Sequence, residues 1–258
     1  MKNVLFAITM SATAFCWMTL AQTPPAPKAP ATKAPAKAAP ATAKTAPKAA
    51  AKAPNLLDPS TMNASAPSVY VVRLDTTKGP VEIRVTKAWA PNGANRFYNL
   101  VRAGFFTDAA FFRTIKGFMT QFGIPARPEV ARVWSDRNMP DDRVIGSNTR
   151  GMVTFAQTGA PNSRSTQIFI NLVNNQRLDA DHFAPFGEVI EGMDVVDKFY
   201  SGYGEAPDQG AIQSQGKAYL DRSFPQLDRI LKATIVPLTP AAPKATATPT
   251  APAAPKAK

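Results

Sequence analysis

The sequence contains one cysteine and one histidine in 258 residues, and this scarcity narrows the chemistry that the protein can perform. Cys16 lies in an N-terminal apolar segment that we expect to be removed, so the mature chain would have no disulfide and no thiolate nucleophile. His182 is the only histidine, which excludes a zinc site built from several histidines and a proton relay between two of them. We therefore expect no metal site. The protein should either catalyse a reaction that requires no nucleophile or only bind a ligand.

Other catalytic patterns are also missing from the sequence. No glycine-rich segment has the spacing that binds nucleotide phosphates. Two carboxylate pairs, Asp141-Asp142 and Asp179-x-Asp181, lie in polar stretches that would not tune a pKa. We interpret both pairs as solvated loop acids.

Acidic residues are few, and the chain carries a formal net charge of +12. Ten lysines lie outside residues 56–238 and no acidic residue does, so the candidate folded part carries only about +2. A nucleic-acid-binding face would interleave basic and aromatic residues on the folded part, and no such pattern is present. No nucleic acid is therefore expected as a partner.

The N-terminus is typical of a secretory signal peptide. A short basic start precedes an apolar run over residues 4–20, and small residues at Thr19 and Ala21 predict cleavage before Gln22. Residues 1–21 are therefore predicted to be a signal peptide, and the protein to be exported to the periplasm or envelope. The run is short for a bilayer span, and an uncleaved anchor is the alternative.

Two segments rich in Ala, Pro and Lys flank the candidate domain, at residues 22–67 and 238–258. Such a composition buries too little apolar surface to offset the entropy of ordering, so we expect a disordered linker and a disordered tail. We interpret them as solvated spacers. Weak contact of their lysines with anionic envelope surfaces, or a tethering role, is the alternative.

Residues 68–237 are long enough for one domain with its own core. Segments rich in β-branched residues recur along it and predict strands near 69–74, 81–85, 151–156, 166–172, 183–190 and 230–236. Helical spacing is present near residues 95–104 and 193–200. Many short strands with two helices predict a mainly β fold, either a barrel or a sandwich with helical lids. A monomer is the default expectation.

Residues 111–123 place one arginine, Arg113, among large apolar side chains, with the amide of Gln121 eight positions later. Gly117 between them predicts a bend that separates two strand pieces. A permanently charged multi-donor group beside apolar surface suits a ligand that is part hydrophobic ring and part carbonyl. An ordinary core hairpin with a surface arginine is the alternative from this segment alone.

Four segments in the same order resemble the cyclophilin-type peptidyl-prolyl cis-trans isomerases, over about residues 69–236. Residues 111–123 are similar to the signature F-x-R-x-x-x-G-F-M-x-Q. Residues 155–169, 178–182 and 186–196 are similar to the second, third and fourth blocks of that family. Phe112 and residues 200–204 resemble a bacterial branch of it.

The resemblance implies an eight-stranded antiparallel β-barrel capped by two α-helices, with the active site on its outer face. It implies an isomerase that rotates X-Pro peptide bonds in proline-containing polypeptides, needs no cofactor and assists the folding of exported proteins. Arg113 would be the catalytic residue. The residues that it implies for substrate binding are Phe112, Phe118, Met119, Gln121, Ala156, Gln157, Gln167, Phe169, Arg177, Leu178 and His182.

Three positions depart from the family pattern. Phe112 stands where many members have histidine, Arg177 where tryptophan is often found, and Gln157 where asparagine is common. The alternative function is a chaperone-like module that binds proline-containing peptides without catalysis. We favour the catalytic function over this alternative because the sequence retains Arg113 together with Phe118, Met119, Gln121 and Phe169.

Overall fold

The computed structural model describes residues 53–237. The predicted signal peptide, the linker up to residue 52 and the tail from residue 238 lie outside the described residues. Within them the chain contains short strands and helices and one 3-10 turn, Pro59–Thr61.

Eight strands form one antiparallel sheet, as the family resemblance implies. In chain order they are β1 (Val69–Thr76), β2 (Gly79–Thr86), β3 (Arg113–Ile115), β4 (Met119–Phe122), β5 (Met152–Phe155), β6 (Ile168–Asn171), β7 (Pro185–Glu191) and β8 (Ile230–Val236). Their order across the sheet is β3-β4-β6-β5-β7-β2-β1-β8. Three consecutive pairs, β1–β2, β3–β4 and β5–β6, are neighbours in the sheet, and the other connections cross to strands that are not adjacent.

The two edges of the sheet approach each other just before β3 and β8. The amide of Phe111 donates to the carbonyl of Asp228 at 2.9 Å, and the amide of Ile230 donates to the carbonyl of Ala109 at 2.9 Å. These bonds occupy backbone groups that an open edge would leave exposed. The sheet is therefore curled into a barrel-like shape.

Six α-helices accompany the strands in residues 53–237. They are α1 (Pro91–Arg102), α2 (Pro128–Trp134), α3 (Arg177–Ala180), α4 (Met193–Val196), α5 (Gln209–Gln215) and α6 (Lys217–Ser223). The sequence predicts α1 and a longer version of α4. The other helices were missed because four to seven residues are too few to show a periodic apolar stripe. None of the helices in the described part could cross a bilayer, given their length and polarity.

The main core packs buried residues of α1 against residues of the sheet. Phe97 and Leu100 on α1 are fully buried, and the Phe97 ring lies 5.2 Å from that of Phe186 on β7 and 5.5 Å from that of Phe106. Each buried aromatic ring contributes a large apolar area, which stabilises a chain whose described residues contain no cysteine. This core holds the strands that carry the site.

The folded part begins earlier than the sequence analysis predicts, because residues 55–66 of the predicted linker pack against the domain. Trp134 Nε1 donates to the carbonyl of Leu56 at 2.8 Å, and Asn99 Nδ2 donates to the carbonyl of Ala64 at 2.7 Å. Leu56 and Met62 are buried. The assignment of these residues to a disordered linker was wrong, since apolar anchors interrupt the Ala/Pro/Lys composition there.

We expect Leu56→Ala to lower the free energy of unfolding by about 2 kcal/mol, since it removes a buried side chain that is 7% exposed. The neighbouring Leu57→Ala is the matched control, because Leu57 is 55% exposed and should change stability by less than about 0.5 kcal/mol. Urea unfolding of both variants measures the difference. Equal stability of the two variants would show that residues 55–66 do not belong to the folded unit.

Candidate active site

The hairpin of β3 and β4 positions the two polar groups that the sequence singles out. Arg113 lies directly opposite Gln121 in the strand register, so both side chains project from the same face. Arg113 Nη1 donates to Gln121 Oε1 at 3.3 Å. Gly117 closes the hairpin with φ of +74°, a conformation that glycine adopts without the steric cost of a side chain.

Beside this pair lies a small apolar cluster, separate from the main core. Its buried members are Met119, Phe169 and Leu178, from β4, β6 and α3. The rings of Phe169 and Phe183 are 5.6 Å apart and nearly perpendicular. Phe118 at the hairpin turn packs against the cluster and covers one side of it. The cluster offers a ring-sized apolar surface next to the guanidinium.

A line of hydrogen bonds leads from Arg113 along the polar side of the site. Gln121 Nε2 donates to Gln167 Oε1 at 2.7 Å, and Gln121 is only 7% exposed. The amide of Ala156 donates to the carbonyl of Gln167 at 2.9 Å, which places the end of β5 beside this line. Because Gln121 bonds to both neighbours, its amide orientation is determined, and it in turn orients the guanidinium.

These residues surround a cavity of about 700 Å³. Nine of the residues that the sequence analysis assigns to the site line it: Arg113, Phe118, Met119, Gln121, Ala156, Gln157, Gln167, Phe169 and Leu178. Polar residues from other segments complete the wall, among them Asp136, Asn138, Ser163, Gln209 and Gln213. The cavity combines an apolar floor with a polar rim, which is typical of a ligand site.

Phe112 does not line this cavity, which corrects the prediction that it binds substrate. It is 1% exposed and packs in a second apolar cluster with Ile212 of α5 and Leu220 of α6. Neighbours along a strand point to opposite faces, so Phe112 faces away from the side on which Arg113 lies. Its apolar side chain suits contact with α5 and α6.

Arg177 and His182 also lie outside the cavity lining. The Arg177 guanidinium stands 4.8 Å from the centre of the Phe118 ring, so it borders the site through a cation–π contact. His182 is exposed on a neighbouring groove of about 1010 Å³ that Gln157 shares. Its φ is +64°, and its carbonyl accepts a hydrogen bond from Arg164.

Glu205 is the main site residue that sequence reasoning missed. Its Oε1 accepts from Arg113 Nε at 2.7 Å and also from Arg113 Nη2. The contact joins residues that are 92 positions apart, and no local pattern indicates such a contact. The only sequence signal was the neighbouring segment 200–204, which resembles a bacterial branch of the family.

The wall formed by Leu178 depends on a polar network behind it. Asp179 accepts hydrogen bonds from Ser147 Oγ at 2.5 Å, from the Asn148 amide at 2.8 Å and from Asn148 Nδ2 at 2.7 Å. Asn148 also donates to the carbonyl of Phe183 at 2.8 Å and is fully buried. Asp179 is therefore a supporting residue of the pocket, and its interpretation as a solvated loop acid was wrong.

The protonation of Asp179 reflects these bonds. Burial raises the pKa of its carboxyl, but the hydrogen bonds from Ser147 and Asn148 outweigh burial, so the pKa lies below its ordinary value. The charged form therefore holds α3 in place at neutral pH.

Arg96, a residue of α1, stabilises another part of the cavity wall, the part that includes Ser165. Its Nη1 donates to the carbonyl of Arg137 at 2.6 Å and to that of Ser165 at 2.9 Å, which joins two loops at the rim. Burial lowers the pKa of Arg96 to about 10, so the group remains charged at neutral pH. Among residues 53–237, no group of three or more His, Cys, Asp or Glu side chains could hold a metal ion.

A family model described as cyclophilin type peptidyl-prolyl cis-trans isomerase/CLD matches residues 71–215. The chain is 34% identical over 137 residues to peptidyl-prolyl cis-trans isomerase B of Escherichia coli (strain K12), covering 50% of this chain and 82% of that relative. It is 36% identical over 134 residues to a peptidyl-prolyl cis-trans isomerase of Acinetobacter baylyi, covering 50% and 70%.

Solved structures agree on the fold. A crystal structure of a cyclophilin from Cryptosporidium parvum matches with a TM-score of 0.51 and 20% identity, covering 66% of this chain and 98% of that one. The same protein crystallised in the presence of the dipeptide Ala-Pro matches with a TM-score of 0.50 and 20% identity, covering 65% and 99%. At this identity the likeness concerns the fold alone.

We expect Asp179→Asn to lower the free energy of unfolding by about 1–2 kcal/mol near pH 7, because an amide cannot accept all three bonds as the carboxylate does. A carboxyl whose pKa is lowered by folding stabilises the chain above its unfolded pKa of about 3.9, and loses this effect as pH falls through the folded pKa. Urea unfolding at several pH values measures the difference from wild type, which should shrink below about pH 4.

Asp181→Asn is the control for this prediction, because it removes a nearby carboxylate whose residue is exposed. It should leave the stability nearly unchanged at every pH. A destabilisation by Asp179→Asn that persisted undiminished below the folded pKa would contradict the role assigned to the Asp179 carboxylate.

Proposed function

The chain belongs to the cyclophilin-type peptidyl-prolyl cis-trans isomerase family, and we propose that its cavity performs this isomerisation with Arg113 as the catalytic residue. The protein is an enzyme that rotates X-Pro peptide bonds in proline-containing polypeptides. The observation that carries the residue-level proposal is the position of the guanidinium. It lies between the Gln121 amide and the apolar cluster of Met119, Phe169 and Leu178.

The reaction requires a donor and a ring-binding surface. The C–N bond of an amide has partial double-bond character and a rotation barrier of about 18–20 kcal/mol. Twisting the bond removes this conjugation and localises the lone pair on the prolyl nitrogen. A hydrogen-bond donor aimed at that nitrogen binds the twisted state more tightly than either planar isomer, which is the condition for catalysis.

Arg113 meets the first requirement. A guanidinium never loses its proton at physiological pH, so it donates without proton transfer and needs no partner base. Arg113 Nη1 already bonds to Gln121 Oε1, and Gln121 bonds to Gln167, so the donor is oriented before a substrate arrives. A preoriented donor loses little free energy to reorganisation during the reaction.

The apolar cluster meets the second requirement. A proline ring in contact with Met119 and Phe169 would be held while the preceding peptide group turns against the polar rim. The dipeptide Ala-Pro was present with the Cryptosporidium parvum cyclophilin, and a dipeptide of this kind would fit within the cavity of about 700 Å³. The backbone near Ala156 and the amide of Gln157 lie where they could bind the peptide chain.

Arg113→Ala should reduce kcat/KM for a proline-containing tetrapeptide by about 100-fold, the usual cost of removing a donor aimed at the transition state. Binding of the peptide should weaken much less, since the apolar cluster is intact. Protease-coupled isomerisation and peptide-binding titrations of the full chain measure the two effects. Arg102→Ala is the control, because Arg102 is an exposed residue at the end of α1 that stacks on Tyr98.

Full activity of Arg113→Ala would contradict the role of this residue. A wild-type protein that binds the peptide without isomerising it would instead support the chaperone-like alternative. The two results can be distinguished by the wild-type protein. It accelerates isomerisation in the first case, whereas in the second the rate equals that of the uncatalysed reaction.

We further propose that the substrates are exported proteins. The support is the sequence of the N-terminus, a basic start and an apolar run followed by small residues at a signal-peptidase position. Uncatalysed X-Pro isomerisation takes about tens to hundreds of seconds, so proteins that fold after export would benefit from a catalyst.

Fractionation of a bacterium that expresses the full chain tests this proposal. We expect the mature protein in the periplasmic fraction, with Gln22 as its first residue. Ile8→Asp interrupts the apolar run and should retain the protein in the cytoplasm with its N-terminus intact, while Thr45→Asp, outside the run, should not. Wild-type protein found unprocessed in the cytoplasm would contradict export.

A further inference from the structure

The contact between Glu205 and Arg113 is not required by the isomerase chemistry described above. The Glu205 side chain is 66% exposed and that of Arg113 is 27% exposed. Arg113 lines the cavity, so Glu205 contacts a lining residue from the solvent side. Exposed ion pairs contribute little to stability, typically about 0–1 kcal/mol. A stability role therefore does not account for a carboxylate held against the donor.

The turn that carries Glu205 is fixed by its surroundings. The amide of Ala206 donates to the carbonyl of Tyr203 at 2.9 Å. The Tyr203 ring packs 4.8 Å from the ring of Tyr200 and 5.0 Å from that of Phe224. Glu205 is thus presented to the guanidinium by a packed turn.

Glu205 uses only part of the hydrogen-bonding capacity of Arg113. A guanidinium has five N–H donors. Glu205 occupies the Nε donor and one Nη2 donor, and Gln121 accepts from Nη1. One Nη2 donor remains, together with one Nη1 donor that lies near the Met119 sulfur at 3.8 Å. The pair therefore orients the guanidinium and leaves donors for a substrate.

A second carboxylate, that of Asp136, also lies at the site. Asp136, just after α2, lines the cavity, and α2 packs against α5, whose Gln209 and Gln213 also line it. We call Glu205 and Asp136 the acidic rim. Arg177 borders the site at the Phe118 ring. The charged lining of the cavity itself consists of Arg113 and Asp136 among the described residues.

We propose that Glu205 is a positioning residue for the Arg113 guanidinium, and that with Asp136 it makes the enzyme prefer basic over acidic residues next to the isomerised proline. The proposal rests on the proposed function of this cavity and identifies its substrate class. A lysine or arginine beside the proline would gain a carboxylate partner at the rim. An acidic residue there would be repelled by the rim and would compete with Glu205 for the guanidinium.

The size of the effect follows from the exposure of the rim. Charge pairs at exposed positions change affinity by about twofold to fivefold, and salt screens them, with a Debye length of about 10 Å at 0.1 M and 3 Å at 1 M. At low salt, kcat/KM should therefore be about threefold higher for the Lys peptide and about threefold lower for the Glu peptide than for the Ala peptide. Both differences should disappear at 1 M salt.

The experiment compares three tetrapeptides that differ only in a Lys, Ala or Glu beside the proline, placed before it in one series and after it in another. Both kcat/KM and Kd are measured with the full chain as wild type, Glu205→Gln, Glu205→Ala and the control Glu191→Gln. Glu191 is an exposed residue at the end of β7, four strands from β3 in the sheet, and its change alters the net charge equally.

Glu205→Gln keeps an oxygen that can accept from the guanidinium, so kcat for the Ala peptide should stay within about twofold. The Lys-to-Glu ratio of kcat/KM should fall by about threefold in one series, because the Asp136 carboxylate remains. Glu205→Ala should also lower kcat for the Ala peptide by about threefold to tenfold, since the donor loses its anchor. Glu191→Gln should change neither quantity.

An unchanged Lys-to-Glu ratio in Glu205→Gln would overturn the specificity role, and an unchanged kcat in Glu205→Ala would overturn the positioning role. Persistence of the full preference at 1 M salt would also overturn the electrostatic explanation. A wild-type protein that isomerises no peptide would refute the proposed function instead, and the ratio of Kd values would still test the charge preference.

Discussion

The pairing of Arg113 with Gln121 across the β3–β4 hairpin is the constraint on which the site depends. It sets the face on which the guanidinium lies, since antiparallel partners project together. Gln121 in turn bonds to Gln167, and Phe169 of β6 lies opposite Gln121 in the register. The register of these strands therefore aligns Arg113, the hydrogen bond between Gln121 and Gln167, and Phe169 of the apolar cluster.

The rest of the molecule keeps these groups from moving. Asn148 and Asp179 hold α3 and the segment near Phe183 from behind, and Arg96 joins the loops of the wall that includes Ser165. Because these supports are buried or multiply hydrogen-bonded, they limit the freedom of the lining side chains. The site is thus rigid on its apolar side, and its exposed charges are screened by solvent.

Strands β1, β6 and β8 were predictable from the sequence because each is a short run rich in β-branched or aromatic residues. The resemblance over four segments also indicated nine of the residues that line the cavity, but not those of the 135–138 and 158–165 segments or of α5. Helices α2, α5 and α6 were not predictable from periodicity, since each has only seven residues. Phe112 was misplaced for the related reason that its apolar partners on α5 and α6 are about 100 positions away.

The sequence by itself determined the family, the mainly β fold and the identity of the proposed donor, because these depend on residue types at local spacing. Only the tertiary structure decided that Leu56 belongs to the folded unit, that Asp179 supports the pocket and that Glu205 meets Arg113. Such contacts join residues far apart in the chain. Their geometry follows from packing of the whole barrel, which no local pattern records.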